Sequence, residues 1–155
     1  MTHVRRESAG LLVHRWRDGT VEVLLVHPGG PFWQKRDDGA WSIPKGEVAE
    51  NEVGMDVARR EFQEELGIAP PDGGLCALGE VRQAAGKVVH AWAVAGDVDV
   101  SQITSNTFEI EWPPRSGKLQ TFPEIDRAAW FDLDTARRKI LPAQRAFIDR
   151  LEAQP

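Results

Sequence analysis

Residues 46–68 read GEVAENEVGMDVARREFQEELGI, and the placement of the acids in this stretch decides how the rest of the chain is read. Met55, Ala58, Phe62 and Leu66 fall at i, i+3, i+7 and i+11. That is one face of a 3.6-residue period and predicts a helix over residues 51–66. Asn51 is placed to cap its start and Gly67 to end it. Glu61, Glu64 and Glu65 stand at i, i+3 and i+4, within a sector of roughly 100° and about one turn apart. They crowd the C-terminal half of the helix, where the macrodipole disfavours anions. Each like-charge pair and each dipole conflict costs about a few tenths of a kcal/mol. A chain shaped by stability alone would more often put Lys or Arg there, so the local rule-break suggests a site. Three carboxylates on one face are hard oxygen ligands, suited to Mg²⁺ or Mn²⁺ bound together with substrate phosphates.

The charge of the whole chain points to the same segment. The net charge is −5. Residues 46–68 hold seven acids (Glu47, Glu50, Glu52, Asp56, Glu61, Glu64, Glu65) against two bases, Arg59 and Arg60. The remaining 17 acids and 17 bases cancel, so the entire imbalance sits in 23 residues. An acidic total argues against binding a nucleic-acid duplex, which calls for a basic patch. A concentrated acidic patch in an otherwise balanced chain suggests a cation site.

Outward from this segment the chain reads as one domain over residues 1–155. Residues 9–16 and 21–27 form a hairpin about a turn at 17–20. Residues 28–40 are rich in turn formers and read as an exposed loop, and 41–44 as a short strand ending at Pro44. Strands follow at 75–83, 88–95, 107–112 and 128–131, with a long polar loop over 113–124. Helices close the chain at 134–140 and 143–151, separated by Pro142. Strands and helices mix without a regular βαβ rhythm, which favours an α/β sandwich with a mixed sheet. The single cysteine, Cys76, excludes an internal disulfide and reads as a buried small hydrophobe. No apolar run approaches the roughly 20 residues that span a bilayer, and the first ten residues, MTHVRRESAG, lack an apolar leader segment. A soluble cytoplasmic protein is expected.

The defined positions are Gly46, Glu52, Arg60-Glu61-Phe62, Glu64-Glu65 and Gly67-Ile68. Their spacing resembles the Nudix box of the Nudix hydrolase family at each of these nine positions. The segments AGLLVHR, WSIPKGE and RAAWFDLDTARRKI are similar to the strands and terminal helix of that family. The resemblance implies an α/β/α sandwich, hydrolysis of a nucleoside diphosphate linked to some group X, and dependence on a divalent metal. Position by position, it implies Glu61, Glu64, Glu65 and the Gly46 carbonyl as metal ligands. It implies Glu64, Glu61 and Arg60 as catalytic; family members differ in which Glu is the general base, and Glu64 is the candidate here. Glu52 and Arg60 resemble the pair in which the arginine orients or neutralises the acids, a role compatible with a plain stabilising pair. Gly67 is structural. Trp41 in its WSIPKG context is similar to the Trp-x-x-Pro-Lys-Gly pattern of the diadenosine-polyphosphate-hydrolase branch, although Glu47 stands where that branch has His. Trp41 and Lys45 are thus the substrate-binding candidates, Lys45 being either a phosphate contact or a solvated loop lysine.

Several residues outside the box complete the reading. With six Trp, six Phe and no Tyr, a base-stacking platform must be Trp, Phe, His or Arg, and Phe32, Trp33 and Trp41 flank the loop leading to the box. Nudix enzymes often recruit one more acid from a distant strand or loop. Glu109 and Glu111 share one face of the alternating strand TFEIEW and are the candidates, with Arg115 as their available counter-charge. His3, His14, His27 and His90 lack metal-ligand spacing, and Arg137-Arg138-Lys139 reads as a solvated helix face. Two functional classes follow. The first is a metal-dependent pyrophosphohydrolase acting on a small-molecule nucleotide, a nucleoside triphosphate or dinucleoside polyphosphate. The second is a catalytically silent Nudix-fold nucleotide-binding regulator; silent relatives usually lose a ligand Glu, and here all are present. Monomer and homodimer are both compatible with the sequence.

Overall fold

The computed structural model describes residues 6–154. His3, the first half of the N-terminal segment MTHVRRESAG and the last residue of the 1–155 domain lie outside the described residues. Strands β1 (Glu7–Arg17) and β2 (Thr20–Pro28) form the expected hairpin. Arg17 pairs with Thr20, leaving Asp18 and Gly19 as a two-residue turn with φ of 52° and 78°. Positive φ at both central residues is what an Asp-Gly turn accommodates. Four further segments complete the sheet: β3 (Lys45–Glu47), β4 (Cys76–Arg82), β5 (Val88–Ala95) and β8 (Ile125–Asp132). The six-stranded sheet runs β4-β5-β1-β2-β8, and β3 adds to β1. Among the described strand pairs, β1–β5 is parallel and the rest are antiparallel, so the sheet is mixed.

Helix α1 (Gly54–Leu66) covers one face, and α2 (Leu133–Lys139) with α3 (Arg145–Glu152) covers the other. The two cores follow from strand alternation. Ala9, Leu11 and Val13 of β1 pack against Val57, Ala58, Phe62 and Leu66 of α1. Leu12, between them, packs on the opposite side with Ala136, Ile140, Phe147 and Ile148. Residues 9–13 are all buried because both faces of β1 are covered, which is why that stretch reads as nearly continuously apolar. The molecule is an α/β/α sandwich.

Several boundaries differ from the sequence reading. The short strand is Lys45–Glu47, one turn later than expected, while Trp41 and Ser42 make only isolated bridges to Ile140 and Val26. Helix α1 begins at Gly54; Asn51 lies in the preceding turn with φ 69° and is not the cap. Glu52 accepts the Ala49 N–H at 2.7 Å, which closes that turn and holds the chain out of the helix. Val57 takes the buried position assigned to Met55, which is 42% exposed. The polar loop 113–124 contains a strand, β7 (Leu119–Pro123), which pairs with β6 (Thr107–Glu111) in a two-stranded ribbon apart from the main sheet. Its exposed residues carry no apolar alternation to reveal it. Cys76 is exposed, where a buried position was expected. The basic run is also not simply solvated: Arg137 pairs with Asp134, Asp149 and Glu152, and Lys139 with Asp37.

Candidate metal and substrate centre

Helix α1 brings its carboxylates against the backbone of β3. A Cβ on Gly46 would lie 2.0 Å from the Glu61 carboxyl carbon, so only glycine lets that side chain rest on the main chain. The Lys45 N–H donates to Glu65 Oε2 at 3.2 Å. Glu64 is the most open of the three, with a side chain 54% exposed against 19% for Glu61. Arg60 lies beside the cluster: it binds Glu52 at 2.5 Å and stands 3.8 Å from both Glu61 and Glu64. Its tightest partner is therefore Glu52, and the acids toward β3 are left short of positive charge. Gly67 ends the helix in the left-handed conformation, φ 70°, and its tight fit against Thr104 docks the 104–106 segment there. Asn106 then donates to the Glu64 carbonyl at 3.3 Å.

The electrostatics show the strain of this grouping. Burial pushes the Glu65 carboxyl up to about 7, opposed by the Lys45 N–H and ammonium and reinforced by Glu61 and Glu124. Burial also raises Glu61, with Glu64 adding to the effect. Burial lowers the Lys45 ammonium, with Glu65 opposing that shift. Carboxylates raised by burial and by one another are poorly compensated negative charges. All are hard oxygen donors beside an open glycine backbone, and this donor set fits Mg²⁺ or Mn²⁺.

A cleft of about 230 Å³ opens beside these acids, with Trp33, Ser42, Lys45, Glu65, Glu124 and Ile125 among its lining residues. Glu124 is the acid that the sequence reading missed. It sits in the turn between β7 and β8, its N–H bonded to Asn106 and its carbonyl to Gly29. Its charge acts on both Glu61 and Glu65. Its local sequence, Pro-Glu-Ile-Asp, carries no periodic signal, and only the long-range docking of segment 104–126 on the end of α1 places it there. Glu109 and Glu111 do alternate with inward Phe108 and Ile110, as expected, but both are exposed on the β6–β7 ribbon. Glu111 accepts the Arg115 backbone N–H at 2.8 Å. Neither residue lines the cleft.

Trp41 does not line it either. It is 3% exposed, set edge-on to Phe131 and His27, and donates its indole N–H to Asp37 at 2.8 Å. Its neighbours Ala40 and Ser42 face the cleft instead. Burial leaves the indole no free ring face for a base, so Trp33 takes its place as the aromatic residue of the cleft. Lys45 lines the cleft as expected. A second group of possible ligands, Glu7, Glu80 and His90, lies across β1, β4 and β5, with one ligand atom of each within 4.8 Å of the others. Strand pairing builds that group, which is why no linear spacing discloses it.

The fold and this cluster define a Nudix-type domain. The NUDIX domain family profile matches residues 4–151, and the chain belongs to that family. RNA pyrophosphohydrolase of Hydrogenovibrio crunogenus is 41% identical over 54 residues, covering 34% of this chain and 33% of that protein. RNA pyrophosphohydrolase of Francisella tularensis is 36% identical over 58 residues, 37% of each chain. The match thus spans about a third of the length of these curated relatives. A C. elegans Ap4A hydrolase structure superposes with a TM-score of 0.65 at 23% identity, covering 96% of both chains. The NUDIX domain of Shewanella oneidensis NrtR, complexed with ADP ribose, gives 0.64 at 17% identity, covering 97% of this chain and 88% of that one. At these identities the structural likeness shows the fold.

Proposed function

We propose that this protein hydrolyses a pyrophosphate linkage of a nucleoside polyphosphate, a nucleoside triphosphate or a dinucleoside polyphosphate, in a divalent-metal-dependent reaction. The observation that carries the reading is the convergence of Glu61, Glu65 and Glu124 beside Gly46 and Lys45 at the cleft. A purely structural cluster would be fully compensated, whereas here Arg60 binds Glu52 most tightly and stands 3.8 Å from Glu61 and Glu64, and the Lys45 ammonium only partly offsets the raised Glu65 carboxyl. The names of the similar proteins, RNA pyrophosphohydrolase and Ap4A hydrolase, fit the same chemistry.

Gly46, Glu61, Glu64 and Glu65 would hold Mg²⁺ or Mn²⁺. When bound, such an ion neutralises the pyrophosphate, polarises its phosphoryl oxygens and lowers the pKa of water. Around it the chain positions the substrate, and positioning with electrostatics is most of what phosphoryl displacement needs. Lys45 offers an ammonium to the phosphates. Glu64, the most open carboxylate of the cluster, takes the proton of the attacking water as general base, with Glu124 the further acid from outside the helix. Arg60, tethered by Glu52, orients Glu61 and Glu64. Trp33 offers a ring to the base. Phosphate release from a panel of nucleoside triphosphates, dinucleoside polyphosphates and nucleotide sugars, with and without Mg²⁺, tests this reading. Mg²⁺-dependent release from a polyphosphate is expected. Tight nucleotide binding without turnover of any compound would identify a silent binder instead.

A further inference from the structure

His27 is fully buried, yet both of its ring nitrogens face acceptors. Nδ1 lies 2.8 Å from Asp126 Oδ1, and Nε2 lies 2.6 Å from the Arg36 carbonyl oxygen. A neutral imidazole has one N–H and one lone pair, so it can donate to only one of the two. Both contacts are satisfied together when each nitrogen carries a proton. The ring then closes a bridge between two separate segments. On one side, Arg36 ends a turn in which its N–H donates to the Trp33 carbonyl, and its guanidinium lies 5.5 Å from the Trp33 ring centre. On the other side, Asp126 follows Glu124 and Ile125. Trp33, Glu124 and Ile125 all line the cleft.

We propose that His27 is a positioning residue that staples the two walls of the substrate cleft, the Trp33 loop and the start of β8 beside Glu124, and does so fully only as the imidazolium. The inference rests on the reading of the cleft as the substrate site. The groups facing the ring are Asp126 and Arg127 of β8, the Arg36 carbonyl, and Trp41, packed edge-on at 5.2 Å. Arg127 also reaches Asp126 Oδ1, at 3.5 Å, and lies over the Trp41 ring at 5.3 Å. Asp37, bonded to the Trp41 indole and to Lys139, lies one residue beyond Arg36. With a single ring proton, one of these bonds is replaced by two lone pairs facing each other, and one wall is released. Nucleotide binding weakens while the carboxylates of α1 stay in place.

The test compares wild type, His27→Gln and Asp126→Asn by ring ¹⁵N NMR and by Mg²⁺-dependent hydrolysis of a dinucleoside tetraphosphate from pH 6 to pH 9. In wild type, His27 shows the doubly protonated pattern at low pH, and KM rises with its loss, by roughly fivefold to tenfold for one hydrogen bond, at little changed kcat. Asp126→Asn can donate its amide N–H to a neutral Nδ1 while Nε2–H still serves Arg36. That variant keeps the bridge at every pH, so its KM loses the His27-linked rise. His27→Gln satisfies only one wall and has the raised KM throughout. A singly protonated ring over the whole range, or a KM profile identical in wild type and Asp126→Asn, overturns the staple. Absence of hydrolysis by wild type would instead overturn the proposed function, and the NMR result would still decide the state of the ring.

Discussion

Glu65 shows how a single residue couples stability to the site. Its carboxyl is raised from the ordinary 4.5 to about 7, chiefly by burial. The folded chain therefore holds this proton more tightly than the unfolded chain does. Its favourable contribution is present at low pH, declines between about pH 4.5 and 7, and is gone above that. The melting temperature of the metal-free protein should accordingly contain a component that falls as pH rises from 5 to 8. Glu65→Gln should remove that component in a calorimetric pH series. The same variant, and Glu64→Gln, should lose turnover by about two orders of magnitude or more, an activation cost near 3 kcal/mol, with little loss of fold. Near-normal Mg²⁺-dependent kinetics in both would detach the chemistry from α1. Glu124→Gln should slow hydrolysis at least about tenfold, while Glu109→Gln and Glu111→Gln, exposed on their ribbon, should leave kcat and KM unchanged. Slowed turnover only in the latter pair would return the further acid to β6.

At the scale of elements, α1 was legible because its signals are local: a 3.6-residue apolar period, acids at i, i+3 and i+4, and a glycine stop. Its start was misread because Asn51 looks like a cap while Glu52 closes the preceding turn. Position 53 is instead a valine, 61% exposed, with extended backbone and no side chain to bond the free N–H groups of the first turn. Val53→Asp should supply that acceptor and set a negative charge at the positive end of the helix. A gain of about 1 kcal/mol is expected, read as a higher denaturant midpoint at unchanged slope. No gain would mean that the first turn is already satisfied otherwise. The elements that were hidden owe their existence to distant partners. Strand β7 forms only because β6 pairs with it, and the docking of the following turn brings Glu124 to the cleft. Trp41 was misassigned for the converse reason: its motif is local, but strand-like alternation turns it into the core between Ala40 and Ser42.

Across the whole molecule, the excess charge of −5 is confined to residues 46–68, and the fold folds this segment back on itself rather than spreading it over the surface. Gly46 meets Glu61, and the Lys45 N–H donates to Glu65, so the helix gathers its acids against one stretch of β3 backbone. An unfolded chain would hold these groups apart and bind a divalent ion weakly. Anything bound only by the folded state stabilises it by mass action, about 2.7 kcal/mol at a hundredfold excess over the dissociation constant. Millimolar Mg²⁺ or Mn²⁺ should thus raise the melting temperature at pH 8, where the Glu65 proton no longer competes. Monovalent salt at matched ionic strength should do so much less, because screening alone affects half-buried charges little. The triple variant Glu61→Gln, Glu64→Gln, Glu65→Gln should melt higher than wild type without metal, freed of mutual repulsion, and should lose the metal-dependent increment. An equal Mg²⁺ shift in wild type and triple variant would move the ion off α1, with Glu7, Glu80 and His90 the next group to substitute.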